Sequence, residues 1–181
     1  MDNLAILVPL KGFEIAKSRL REGGLDGVDE VVRNLALGVL RAAHPRPLFV
    51  ACESPGVASF ARECGAEVIT SLASGLNEAV THAYRELGQS FEQILIAHGD
   101  LRDPRGLGEY RPRDGVTVIT DDRRTGTNAL ALPTNMDFNF RFGLGSAEAH
   151  RREAQRLGLV VHMDYESPWR FDVDDPADLI A

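Results

Sequence analysis

Lys11, Lys17 and Arg19 fall within nine residues, directly after an apolar run that closes on Pro9-Leu10. At the carboxyl end of a strand, such a loop can wrap a triphosphate, with backbone N–H groups and basic side chains sharing the charge. A merely solvated basic loop would show the same residues. There is no G-x-x-x-x-G-K-[ST] motif, so this is not a P-loop. Asp100 follows Gln93 to Ala97, the most apolar stretch of the middle region. A carboxylate there costs desolvation unless it meets water, a cation or a metal, although it could equally cap a helix. Asp172 and Asp174 flank Val173. On a strand, residues two apart share a face, and paired like charges need a counter-ion. Mg2+, a hard cation that prefers oxygen ligands, would supply one. The alternative is a solvated acidic turn in which Asp175 caps a helix opened by Pro176. Asp100 together with the Asp172/Asp174 pair favours the metal, because the three could meet at one edge of a sheet.

Two further segments are rich in donors. One runs from Arg123 to Asn128. The other runs from Arg141 to Ser146, whose last residue opens a helix and so marks a candidate anion site. The five histidines have no metal-ligand spacing and read as surface or core residues. Cys52 and Cys64 read as core or near-surface thiols. No G-x-S-x-G elbow or reactive-cysteine motif is present, which leaves hydrolysis through a covalent nucleophile without support.

These residues need a frame. Leu4–Leu10 reads as a buried parallel strand, followed by a polar loop from Lys11 to Ser18. Asp26–Ala43 has helical spacing, and Leu48–Cys52 is a strand. Ser54-Pro55 caps a helix to Cys64 that Gly65 ends, and Glu67–Thr70 is a short strand. Ser74 is placed to cap a helix through Leu87, before the strand Gln93–Ala97. Beyond it, Val116–Thr120 and Ala129–Leu132 read as strands around a loop from Asp121 to Asn128. Ser146 caps a polar helix to Leu157, Leu159–Met163 and Phe171–Val173 are strand candidates, and Asp175-Pro176 opens a short final helix. The alternation predicts an α/β fold in which a mostly parallel central sheet carries helices on both faces.

The 181 residues suit a single domain, 1–181, and 44% hydrophobic residues allow a real core. No apolar run is long enough for a membrane span, and Met1-Asp2-Asn3 lacks the basic start of a signal peptide, so a cytoplasmic protein is expected. A net charge of −7 argues against nucleic acid as a partner. Of the 20 basic residues only Lys11 and Lys17 are lysines, both on the loop after the first strand.

In their order along the chain, several blocks resemble the 2-phospholactate guanylyltransferase family. They are Val8-Pro9-Leu10-Lys11 with Ala16 to Leu20, Gly75-Leu76-Asn77, Gly126 to Leu130, Phe140 to Ser146 followed by Ala149-His150, and Asp172 to Leu179. The resemblance implies a single nucleotide-binding domain similar to the nucleotide-diphospho-sugar transferases, acting in coenzyme F-420 biosynthesis. It implies GTP as donor and a small phosphorylated acid as acceptor: 2-phospholactate, phosphoenolpyruvate or 3-phosphoglycerate. Asp100, Asp172 and Asp174 would then hold Mg2+, and Lys17 would join them in catalysis. Pro9, Leu10, Lys11, Lys17 and Arg19 would line the triphosphate, Gly75 and Asn77 would approach the guanine or ribose, and Thr127, Gly143 and Ser146 would hold the acceptor's acid end. Neither nucleic acid nor a membrane is an expected partner, and a homodimer is the one assembly considered. Arg102 stands where the family usually has proline, and His98-Gly99 replaces a small apolar approach to Asp100. A type-A glycosyltransferase and a non-catalytic GTP-binding protein are the rival readings; the former normally carries its Asp-x-Asp pair after a central strand.

Overall fold

Apolar and amphipathic runs alternate through the first hundred residues, and the backbone follows them. A computed structural model describes residues 3–24, 26–70 and 75–179, without the side chains of Ser18 and Arg19. The strands are β1 (Leu4–Pro9), β2 (Leu48–Cys52), β3 (Glu67–Thr70), β4 (Gln93–Ala97), β5 (Val116–Thr120), β6 (Thr127–Pro133) and β7 (Val161–Asp164). The helices are α1 (Ser18–Glu22), α2 (Val28–Ala42), α3 (Pro55–Glu63), α4 (Leu76–Leu87) and α5 (Ser146–Arg156). The sheet has the order β3-β2-β1-β4-β6-β5-β7. β1 to β4 run parallel, β6 is antiparallel to both its neighbours, and β7 runs parallel to β5. Among the described residues no helix is long and apolar enough to cross a membrane.

Each central strand is apolar throughout because both of its faces are covered. Leu4, Ile6 and Val8 pack with Ala36, Val39 and Leu40 of α2 and with Val57 and Phe60 of α3. Ala5 and Leu7 face the other way, towards Val80 and Ala83 of α4 and Ala147 and Ala154 of α5. The expected helices on both faces are therefore present. A third, smaller cluster joins Leu20, Val28, Val32 and Val173, and it ties the C-terminal segment to the loop after β1.

Several local expectations are corrected. Phe171–Val173 is not a strand: it makes one antiparallel bridge, Leu101 with Asp172. The loop from Asp121 ends at Gly126, since β6 already begins at Thr127. Ser54 is extended at the N-cap of α3, but its side chain makes no capping bond. Ser146 is not the cap of α5. Gly145 takes that position at φ 75, where a side chain would strain the backbone, and Ser146 turns inward as the first helical residue. The proposed cap Ser74 lies outside the described residues.

Candidate active site

The carboxyl ends of β1 and β4, neighbours at the middle of the sheet, open onto a cavity of about 330 Å³. Pro9, Leu10, Lys17, Asp100 and Asp174 line it, and Lys11 stands exposed at its rim. Ligands of open α/β sheets bind at this edge. Leu10 still pairs with β2 through its N–H and the Ala51 carbonyl at 2.9 Å. Gly99 permits the loop to lie so close, because a Cβ there would fall 2.3 Å from Leu10 Cδ2. Lys17 adopts φ 56, uncommon for a residue with a side chain, and its carbonyl accepts from the N–H groups of Leu20 and Arg21. The turn aims its ammonium inward, 2.5 Å from Asp100 Oδ2 and 2.6 Å from Asp174 Oδ1.

The three aspartates meet through backbone pairing rather than a regular strand. Arg102 N–H donates to the Phe171 carbonyl at 2.8 Å, and Val173 N–H donates to the Asp100 carbonyl at 3.1 Å. Val173 is buried, which leaves Asp172 and Asp174 on the opposite side of an extended segment. The Asn128 amide donates to the carbonyls of Trp169 and Arg170 and to Asp172 Oδ1 at 3.3 Å. Asp178 accepts from the N–H groups of Asp174 and Asp175 at 2.9 and 2.8 Å. One oxygen from each of Asp100, Asp172 and Asp174 then lies within 4.8 Å of the others, and this cluster could hold a metal ion.

The electrostatics are those of a cation site. Burial, then the charges of Asp100 and Asp174, push the Asp172 carboxyl up to about 6. Burial would raise Asp100 too, but the Lys17 ammonium beside it holds the carboxyl below its usual range. Burial disfavours charge on Lys17, and Asp100 and Asp174 overcome that and raise its pKa. Asp100 Oδ1 is buried without a hydrogen-bond partner among the described residues. One ammonium against three carboxylates, with an orphaned oxygen, fits a hard divalent cation.

A second cluster gathers where α5 begins. His150 is fully buried. Its Nε2 accepts from the Arg141 N–H at 3.1 Å, so the ring proton sits on Nδ1 and is donated to Thr127 Oγ1 at 3.0 Å. That leaves the Thr127 hydroxyl proton for another acceptor. Burial lowers the His150 pKa to about 4, which keeps the ring neutral. Ser146 Oγ is buried with no partner among the described residues, at the N-terminus of an 11-residue helix. Gly143 lies nearby at φ 125 with open space where a side chain would be. The Phe142 ring packs between those of His98 and His150. The Asn77 side chain grips the Phe142 backbone at both ends, accepting its N–H at 2.6 Å and donating to its carbonyl at 3.2 Å.

Asp100, Asp172, Asp174 and Lys17 thus come together as expected, with Pro9, Leu10 and Lys11 around them. Thr127, Gly143 and Ser146 gather separately around the start of α5. Gly75 lines an adjoining cavity, while Asn77 engages Phe142. The Arg19 side chain lies outside the described residues. The donor-rich segment ending at Asn128 was legible, but no spacing tied Asn128 to Asp172 or Asp178 to the backbone of Asp174. His150 stands four residues after Ser146, one helical turn along the same face, and that spacing is the signal that would have found it.

The sequence model of the family described as "Guanylyl transferase CofC like" matches residues 4–181. A phosphoenolpyruvate guanylyltransferase of Chloroflexus aggregans is 30% identical, over 95% of this chain and 93% of its own length. A 3-phospho-D-glycerate guanylyltransferase of Colwellia psychrerythraea is 28% identical, over 96% and 88%. Among solved structures, a nucleotidyl transferase from Methanothermobacter superposes with a TM-score of 0.70 at 16% identity, covering 99% of this chain and 95% of that one. That likeness concerns the fold alone.

Proposed function

The chain belongs to the CofC-like guanylyl transferase family, and from that premise we propose that it transfers GMP from GTP to a phosphate oxygen of a three-carbon phosphoacid. The convergence of Asp100, Asp172, Asp174 and Lys17 at the mouth of the central cavity carries this reading. In the step, an acceptor phosphate oxygen bonds to the α-phosphorus of GTP, the α–β bridging bond breaks, and pyrophosphate leaves. The nucleophile is largely ionised near pH 7, since a phosphate monoester loses its second proton near pH 6, and no strong base is required. The obstacle is the approach of one anion to another.

Asp100, Asp172 and Asp174 would hold Mg2+, which supplies positive charge at the α-phosphate when bound. Lys11 and Lys17 on the loop after β1 and Arg19 in the first turn of α1 would follow the triphosphate, where cations stabilise the charge growing on pyrophosphate. Pro9 and Leu10 form the wall beneath it, and Gly75 and Asn77 stand towards the nucleoside. The Ser146 hydroxyl, the Gly143 turn and the free Thr127 proton would receive the acceptor's carboxylate at the start of α5. The unit is one nucleotidyltransferase domain over residues 1–181, working in the cytoplasm for coenzyme F-420 biosynthesis. Phosphoenolpyruvate and 3-phosphoglycerate are supported as acceptors by the names of the relatives; 2-phospholactate completes the set.

The test is pyrophosphate release with GTP and Mg2+, each acid supplied separately, with ATP as control. Release with one acid and GTP alone is the expected result. Release of GDP from an added GDP-sugar, with no pyrophosphate from GTP, would point to glycosyl transfer instead.

A further inference from the structure

Resting on the guanylyl-transfer reading, we propose that Glu53 reads the guanine base. A second cavity of about 210 Å³ adjoins the first and shares Pro9, Leu10, Lys11, Ile15 and Leu76 with it. The two differ in character. The first holds Lys17, Asp100 and Asp174, the charged end suited to phosphates and metal. The second adds Ala51 and Ala79 to the shared Ile15 and Leu76, a mostly apolar wall of the kind a flat base requires. Gly75 leaves its rim without a side chain at the entry to α4. Among the described residues Glu53 is the one carboxylate lining this cavity. It follows β2 directly, held between the last strand residue and the extended Ser54 that starts α3. It is exposed, and it makes no ion pair or hydrogen bond with the described residues.

The chemistry fits guanine and rejects its rivals. Guanine presents N1–H and N2–H2 side by side, two donors for the two oxygens of one carboxylate. Hydrogen bonds to a charged acceptor are the stronger kind. Adenine offers a lone pair at N1 in the same place. Hypoxanthine keeps N1–H but lacks the amino group. Xanthine places a carbonyl oxygen where guanine has its amino group, so it repels glutamate but accepts from the amide of glutamine.

The experiment compares wild type, Glu53→Gln and Glu53→Ala with GTP, ITP, XTP and ATP, by pyrophosphate release and by calorimetric nucleotide binding with Mg2+. Wild type should prefer GTP to ITP by about ten-fold, the worth of one hydrogen bond to a charged group. Glu53→Gln should lower kcat/KM for GTP at least about ten-fold and raise the XTP:GTP preference about 100-fold, because GTP forfeits one hydrogen bond and XTP acquires one. Glu53→Ala should erase the GTP:ITP preference. Thermal midpoints should hold, as the side chain is exposed. Unchanged GTP:ITP:XTP ratios in both variants would overturn the assignment. No pyrophosphate from wild type with any acid would instead sink the transfer reading, while the calorimetric GTP:XTP ratio would still decide Glu53.

Discussion

Lys17 Nζ lies 2.5 Å from Asp100 Oδ2 at the point where three carboxylates converge. A tethered cation occupies the position that a divalent ion would compete for, and the two cannot both neutralise the same oxygens. Nucleotide phosphates offer the ammonium another partner, so GTP and metal should enter together.

Replacing Lys17 with Met keeps most of the side chain's bulk and removes its charge. Mn2+ binding to the nucleotide-free protein should tighten at least about ten-fold, because no tethered cation has to be displaced. Pyrophosphate release should fall about 100-fold. Calorimetry with Mn2+ alone separates this from a shape-keeping role, under which metal affinity would stay level or drop.

Asp172→Asn and Asp174→Asn should each cost about 10³-fold in turnover, as loss of a metal ligand does. Asp172→Asn should also raise the thermal midpoint of the metal-free protein at pH 8. The folded pKa of Asp172, about 6, stands above its ordinary 3.8, so ionisation is penalised in the folded state. That penalty is absent below pH 3.8, grows up to pH 6, and is complete above it. The gain from Asn should follow the same profile in buffer containing a chelator; a gain that is flat with pH would contradict it.

Metal affinity should depend on the same proton. Below pH 6 Asp172 must release it before it can ligate, so Mn2+ affinity should fall by up to about ten-fold per pH unit. Between pH 7 and 8 it should be nearly level. Titrations in buffers of different ionisation enthalpy would count the proton released.

His150 should make the fold acid-sensitive. Its folded pKa, about 4, lies below the ordinary 6.5 because the neutral ring is buried and hydrogen-bonded on both nitrogens. For a depressed base, stability is full above pH 6.5 and is lost as pH falls towards 4, here by roughly 3 kcal/mol. The urea midpoint of wild type should drop across that window, and His150→Gln should flatten the drop. The readout is the difference between the two proteins at each pH.

Much of the frame was legible because β1, β2 and β4 are buried on both faces and read as unbroken apolar runs. Lys11, Lys17, Arg19 and Asp100 were legible as charges placed after a strand ends, and Asp172 and Asp174 as a pair of carboxylates two residues apart. The assembly of the site was not. Asp172 and Asp174 reach Asp100 through two backbone hydrogen bonds at the Leu101 bridge and through the Asn128 amide, and pairing between segments so far apart in the chain leaves no periodic trace. Ser146 looked like a helix cap by residue type. The glycine before it, free to adopt positive φ, took that role and left the hydroxyl buried. The antiparallel β6 enters between β4 and β5, an order that a helical alternation cannot announce.

The two hydrogen bonds between Asn77 and Phe142 splint the start of α4 to the turn that leads into Gly143. On the proposed reading, the base side and the acid side of the site would share this one strut. Whatever order GTP imposes on one end of that strut is already in place for the acceptor at the other. If GTP binding strengthens acceptor binding through it, thermodynamic reciprocity requires the acceptor to strengthen GTP binding by the same factor.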